Sequence, residues 1–359
     1  MLDEGAPRLV KHLHWRGEMV FIHNFWGGKS KIAASERNEG KIDEFVRPFP
    51  RVVRLEPAGA CNLKCSHCPT GTVKMNRGVM GAETFDLIVS NVRANRDKVK
   101  VAVLYHGGEP LLNERFPQMA KQIKALGIPL VKTVSNGMLL NQRFIADIVE
   151  SGLDMIEFSL DGESPSENDF FRRKADYHSV VSNVKRLIHY KRECKSKTPQ
   201  VYIASTQFIS RHAFQIESKE IPPPKYLVKE FSGVYSGEIA GFKTTYAIRW
   251  PDMRILDEIY ELHEDPCDRQ SRNFCDHVEN TITVRWNGDI VPCCYDLTSQ
   301  CVLGNIHQAD LATIWNNRQY LRLRLSIREM NFMPLCDKCA VVKPKTFLVP
   351  REECLAVLR

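Results

Sequence analysis

The sequence contains no apolar run approaching the ~20 residues that cross a bilayer. Its N-terminus, MLDEGAPRLVKHLHW, lacks the basic stretch followed by an apolar one that marks a secretory signal. Both absences point to a cytoplasmic protein with no membrane partner. There is no internal repeat and no low-complexity segment, which argues against solenoids and disordered tails. GGKS at 27–30 is not a phosphate loop, because the earlier glycine of that motif is missing. The net charge of +7 is not gathered into one place. RVVR (51–54), FFRRK (170–174) and YLRLRLSIR (320–328) are dispersed, and the last reads as a solvated helix face carrying Arg322, Arg324 and Arg328. A nucleic-acid partner needs clustered charge on a recognition fold, so none is expected. An anionic small substrate fits the charge equally well.

What is present is an ordinary globular composition, 43% hydrophobic and 26% charged over 359 residues, with twelve cysteines. That length suggests one large domain and a smaller one. A disulfide scaffold does not suit this length or a reducing compartment, so the cysteines point to metal binding or catalysis. Residues 1–45 hold Trp15, Phe21, Phe25 and Trp26 and read as an N-terminal arm packed on the main body.

From residue 50 the pattern alternates. Strands are expected at VVRLE (52–56), VKVAVLY (99–105), PLVKTVS (129–135), DMIEFSL (154–160), QVYIASTQF (200–208) and YLVKEF (226–231). Helices are expected at 82–95, where Phe85, Ile88, Val89 and Val92 share a face, and near 114–126, 141–150, 179–193 and 211–219. Six such units argue for a parallel sheet with helical crossovers, and so for an α/β partial (β/α)6 TIM-like barrel short of the eight strands of a closed one. After about 265 the rhythm breaks. TITVRWNGDIVPCC (281–294) reads as a hairpin turning at Asn287-Gly288, followed by a helix at 309–328. The expected division is an arm (1–45), a barrel core (46–235), a connecting segment (236–265) and a small C-terminal α+β domain (266–359).

Cys61, Cys65 and Cys68 follow directly after the first strand of the barrel, where the loops of such folds do chemistry. Three thiolates with no well-placed histidine fit a four-iron cluster with one iron open. Zinc would recruit a fourth protein ligand or keep a water. His67 lies between Cys65 and Cys68, where it would have difficulty reaching the same metal, so it is read as a packing residue beside the cofactor. The stretch GACNLKCSHCPTG resembles the radical S-adenosylmethionine (SAM) superfamily, whose signature is this three-cysteine loop. The resemblance covers about residues 50–235 and implies that the open iron binds the amino and carboxylate groups of SAM. HGGEPLL (106–112) looks like the family's GGEP motif; Gly107 and Gly108 allow close backbone approach, and Glu109 or local carbonyls would meet the SAM ammonium. Ser135 and Asn136 of SNG would serve the ribose hydroxyls. Ser159 of FSLDG would face the ribose or carboxylate, while Asp161 reads as the start of a turn. The implied chemistry is reductive cleavage of SAM to methionine and a 5′-deoxyadenosyl radical, which removes a substrate hydrogen atom. An electron donor such as flavodoxin or ferredoxin is implied as a partner.

The C-terminal region has its own spacing. Cys275, Gly288 and Cys293 form C-x12-G-x4-C, and Cys336-x2-Cys339 follows. Four thiolates suit either a [4Fe–4S] cluster or zinc. The arrangement resembles the SPASM/twitch extensions of radical SAM enzymes and is nearer the one-cluster twitch form, because only Cys354 follows the knuckle. This implies one auxiliary [4Fe–4S] cluster, able to accept a second electron from the substrate. Cys194, Cys267, Cys294, Cys301 and Cys354 read as buried or surface thiols; apart from Cys194 they could alternatively build a second auxiliary cluster. Tyr105, His106, Arg249 and Tyr295 are candidates to line the cavity, and no catalytic acid or base is assigned. Three functions compete: an oxidoreductase acting on a sugar, aminocyclitol or nucleoside; a maturase of a ribosomally made peptide; and a non-enzymatic iron–sulfur or zinc protein. The short arm favours the first over the second.

Overall fold

The computed structural model describes residues 12–15, 18–21, 39–209 and 221–356. The chain divides into residues 1–45 and residues 46–359. Within the first unit, β1 (His12–Trp15) and β2 (Glu18–Phe21) form an antiparallel hairpin, and a 3-10 helix spans Glu39–Phe45. Most of the expected arm lies outside the described residues, as does the helix expected at 211–219.

The second unit is built on six parallel strands paired in sequence order: β3 (Val52–Leu55), β4 (Val101–Val103), β5 (Leu130–Ser135), β6 (Met155–Ser159), β7 (Gln200–Gln207) and β8 (Ile239–Tyr246). Helices Ala82–Ala94, Phe116–Lys124, Gln142–Glu150 and Tyr177–Glu193 cross over between successive strands from β3 to β7. The first buries Phe85, Ile88, Val89 and Val92, the face expected from its 3.6-residue period. These side chains join Val53, Leu55, Val131, Ile156 and Val201 in one core between sheet and helices.

The sixth strand is not where the sequence pattern puts it. Residues 225–230 form a short helix after Pro224, burying only Leu227, and β8 lies in the segment read as a connection. A short apolar run does not distinguish helix from strand by itself, and Lys243, Thr244 and Thr245 gave β8 no apolar signature.

The hairpin β10 (Thr281–Val284) and β11 (Asp289–Val291) turns at Asn287-Gly288, with Gly288 at φ +87°. It does not stand apart. β10 pairs in parallel with β3, register Thr281 to Val52, and β12 (Gly304–Asn305) completes a nine-stranded sheet. The expected helix at 309–328 is two, Leu311–Trp315 and Arg318–Arg328, because Asn317 caps the second by accepting from the Tyr320 amide. Its arginines are not all solvated: Arg324 is buried, its guanidinium 4.3 Å from the Trp315 ring centroid. A small antiparallel pair, β9 (Tyr260–Glu264) with β13 (Thr346–Pro350), lies outside the sheet.

Candidate functional site

Cys61, Cys65 and Cys68 line one cavity of about 360 Å³. Its other walls are Gly107, Gly108 and Glu109 after β4, Ser135 and Asn136 at the end of β5, Ser159 at the end of β6, and Thr206 and Thr245 near the ends of β7 and β8. Every expected cofactor-binding residue and all three loop cysteines therefore meet at the C-terminal ends of the parallel strands. The cysteine loop is pinned from below. Lys64 N donates to Arg173 O at 2.9 Å, Ser66 N to Phe171 O at 2.8 Å, and the Ser66 and Tyr260 hydroxyls are 2.6 Å apart. Gly71 starts so close to the loop that a Cβ there would lie 2.3 Å from Cys65 O.

Cys65 is buried and Cys61 and Cys68 are half-buried, and the ionisation of Cys61 and Cys65 is suppressed. Burial, then Glu109, pushes Cys61 up to about 11; burial pushes Cys65 up to about 12 against the pull of Arg172. Iron takes thiolates, so assembly of a cluster on this loop would release protons. Arg172 lines the same cavity. It bonds Asp161 Oδ2 at 2.7 Å, and Asp161 also holds His67 Nε2 at 3.2 Å. Asp161 is thus more than a turn residue. Arg172 and His67 hold its carboxyl below the ordinary range although burial opposes this. His67 packs edge-on against Phe208, 5.4 Å between centroids. The donor set fits an iron–sulfur cluster: three thiols, with a guanidinium beside them and the neighbouring histidine already engaged. In the sequence Arg172 reads as one of several dispersed basic residues; the signal that marks it is its place between the fourth barrel strand and the helix Tyr177–Glu193.

Glu109 is the keystone of the upper wall. Its Oε1 accepts from the Ser135 hydroxyl at 2.8 Å and from Leu111 N at 3.1 Å, and its Oε2 accepts from Asn136 N at 2.8 Å. Asn136 Nδ2 donates to Asn62 Oδ1 at 2.8 Å, tying this loop to the cysteine loop. The polar atoms of Ser135 and Asn136 thus hold neighbouring loops in register. Gly108 permits this approach, since a Cβ there would lie 2.2 Å from Ala58 O and 2.3 Å from Ala60 O. Gly108→Ala is expected to lower stability by about 1–3 kcal/mol and to weaken SAM binding. Urea unfolding and SAM titration check this; a variant matching the wild type in both would show that the contact relaxes freely.

The second cysteine set lies in the interior. Cys275, Cys293, Cys336 and Cys339 are all buried. Burial, then the neighbouring thiols of Cys294, Cys339, Cys336 and Cys275, raises Cys293 well above the thiol range. Cys336 and Cys339 sit on one 3-10 turn, with Cys339 N donating to Cys336 O at 3.1 Å. Of the remaining thiols, Cys301 is buried, Cys194 and Cys267 are exposed, and Cys294 lies 3.7 Å from His277 Nε2.

Glu56 joins the two regions. It is completely buried; Oε1 accepts from Gly107 N at 2.9 Å, while Oε2 accepts from Arg285 Nε at 3.1 Å and Trp286 N at 3.2 Å. His106 Nε2 reaches Asp296 O at 3.1 Å. The Trp286 ring fills the space beside Gly59 and Gly78. Tyr105, His106 and Tyr295 line the cavity as expected, whereas Arg249 is not among its lining residues; Trp250 is. No described helix is long and apolar enough to cross a membrane.

Comparison with known proteins agrees with this geometry. Residues 55–199 match the radical SAM superfamily model, and residues 275–340 match SPASM, an iron–sulfur cluster-binding domain. A tungsten-containing aldehyde ferredoxin oxidoreductase cofactor-modifying protein from Pyrococcus furiosus is 23% identical over 80% of this chain and 86% of its own length. A GTP 3′,8-cyclase from Chlorobaculum tepidum is 32% identical over 38% of this chain and 40% of its own length. Among solved structures, BtrN in complex with AdoMet and 2-DOIA has a TM-score of 0.53 at 16% identity, covering 82% of this chain and 94% of BtrN. Streptococcus suis SuiB bound to precursor peptide SuiA has 0.58 at 14% identity, covering 86% and 75%. The cofactors of the two matched domains are a [4Fe–4S] cluster with SAM for the first and auxiliary iron–sulfur for the second. The chain belongs to the radical SAM superfamily and carries a C-terminal SPASM iron–sulfur domain.

Proposed function

We propose that this enzyme cleaves SAM reductively and uses the radical so formed to oxidise a small polar substrate, with the auxiliary iron–sulfur site taking the second electron. The observation that carries this reading is the single cavity whose walls run from the Cys61–Cys68 loop to Tyr295, two residues beyond Cys293. Cys61, Cys65 and Cys68 would hold the first cluster, and Cys275, Cys293, Cys336 and Cys339 the second. A [4Fe–4S] cluster held by Cys61, Cys65 and Cys68 would supply, when reduced, the one electron that splits SAM into methionine and a hydrogen-abstracting 5′-deoxyadenosyl radical.

The chain supplies position and shelter. Glu109, fixed by three donors, would meet the SAM ammonium, and Arg172 in the same cavity would offer a cation to its carboxylate. Gly107, Gly108, Ser135, Asn136 and Ser159 shape the cofactor wall. Tyr105, Trp250 and Tyr295 give the cavity aromatic faces that suit a sugar, aminocyclitol or nucleoside ring. The Pyrococcus relative, which by its name modifies a cofactor, supports a small-molecule substrate over a peptide. A reductant is required, and a flavodoxin or ferredoxin is the proposed donor.

Anaerobically reconstituted protein given SAM and dithionite should form 5′-deoxyadenosine. Fractionated small-molecule extracts should raise that yield and show a product two hydrogens lighter; stimulation only by a peptide would reverse the substrate assignment. Cys336→Ala should still cleave SAM, lose about four irons per chain and form no oxidised product. Unchanged iron content in that variant would remove Cys336 from the auxiliary site.

A further inference from the structure

The lower half of the barrel interior is charged. Side chains alternate across a strand, so a residue two positions before a cavity-lining one shares its face. Lys132 precedes Val134 on β5, Glu157 precedes Ser159 on β6 and Lys243 precedes Thr245 on β8; Val134, Ser159 and Thr245 all line the cavity. The three charged groups meet, since Lys132 Nζ and Lys243 Nζ both donate to Glu157 Oε1, at 3.2 and 2.6 Å.

Arg54 on β3 is 8% exposed, and its guanidinium lies 5.8 Å from the centroid of the Tyr105 ring, itself part of the cavity wall. Arg54 pairs with Val103 on β4 and Val103 with Lys132 on β5, so Arg54 and Lys132 stand at one level of the sheet. Arg54 also faces Cys294 and His277. Its Nε and Nη1 are buried without a hydrogen-bond partner. Buried donors are rarely left unpaired in a folded protein, and a charged one calls for an acceptor that arrives from outside. Here Arg54, Lys132 and Lys243 outnumber the one carboxylate, Glu157, and the Cys294 thiol beside Arg54, within walls that focus their field.

We propose that Arg54, with Lys132 and Lys243, forms an oxyanion subsite for a phosphate or carboxylate group of the substrate, directly beneath the SAM cavity. This rests on the proposed function and narrows its substrate to small polar molecules bearing an acidic group. The subsite lies one pleat, roughly 7 Å, below the cavity-lining layer. The reacting carbon is therefore only a few bonds from the acidic group.

The test is equilibrium dialysis of the reconstituted, full-length protein against radiolabelled inorganic phosphate and malonate. A saturable site is expected, weakened about tenfold or more by Arg54→Gln and partly restored in Arg54→Lys. Glu157→Gln removes the competing carboxylate and should tighten binding severalfold, a gain that misfolding does not produce. Phosphate binding alone assigns a phosphoryl group, malonate alone a carboxylate, and both an oxyanion site of either kind. Absence of binding at about 10 mM of either anion, wild-type affinity in Arg54→Gln, or no gain in Glu157→Gln overturns the subsite. SAM cleavage is scored on the same preparation. Cleavage without anion binding removes the subsite alone; anion binding without cleavage removes the proposed function, and the substrate assignment with it.

Discussion

Cys65→Ala is expected to abolish 5′-deoxyadenosine formation and to leave the auxiliary iron in place. Cys65 is the central thiol of the loop, buried, and held by backbone bonds from Lys64 and Ser66 to the segment 171–173. Nothing nearby can replace it, because His67 is held by Asp161 and the Ser66 hydroxyl by Phe171 O. Loss of an outer-shell contact typically costs ~10–100-fold in metal-site affinity or activity; removing one of the three proposed protein ligands should go further, to background. The variant should keep the wild-type far-UV circular dichroism, since the loop's backbone bonds do not depend on the thiol. Chromatographic detection of 5′-deoxyadenosine decides the matter, and cleavage at the wild-type rate would remove this loop from the reaction.

The largest stability effect is expected at Glu56. Its carboxylate receives Gly107 N, Trp286 N and Arg285 Nε, all in an environment without solvent. Burial pushes its pKa up, but His106, Arg285 and the two backbone donors outweigh this and hold it below the ordinary value. Glu56→Ala leaves a buried guanidinium without its counter-charge, a change that costs about 3–5 kcal/mol. Because the same carboxylate anchors Gly107 on the cavity wall, SAM affinity should fall as well. Removing both charges, Glu56→Met with Arg285→Met, should recover most of the stability, since apolar replacement of a buried pair is often neutral. Urea unfolding of the two variants is the check: a loss under about 1 kcal/mol in Glu56→Ala would show that water takes over the role of the carboxylate.

The most legible parts of the protein were those coded by local spacing. The period of residues 82–95 sets which face of that helix is buried, and Phe85, Ile88, Val89 and Val92 are the residues buried there. The Asn287-Gly288 turn is legible because a two-residue hairpin connection needs positive φ, which Gly288 adopts. The less legible parts depend on distant partners. β8 carries lysine and threonine on the face toward the barrel interior, so its pattern is not that of an apolar strand; pairing with β7 makes it one. Arg172 and Arg324 look like surface residues until Asp161 in one case and Trp315 in the other provide a buried partner.

The sequence by itself determined the three-cysteine loop, the glycine pair after the second barrel strand and the C-terminal thiol spacing. Each is a requirement on neighbouring residues and reads directly along the chain. Tertiary structure alone decided that the hairpin extends the barrel sheet through β3, that Glu56 joins the two regions, and that Arg54, Lys132 and Lys243 share one interior with Glu157. Those facts depend on groups up to 230 positions apart. Burial and charge pairing over such separations exist only once the strands have been laid side by side.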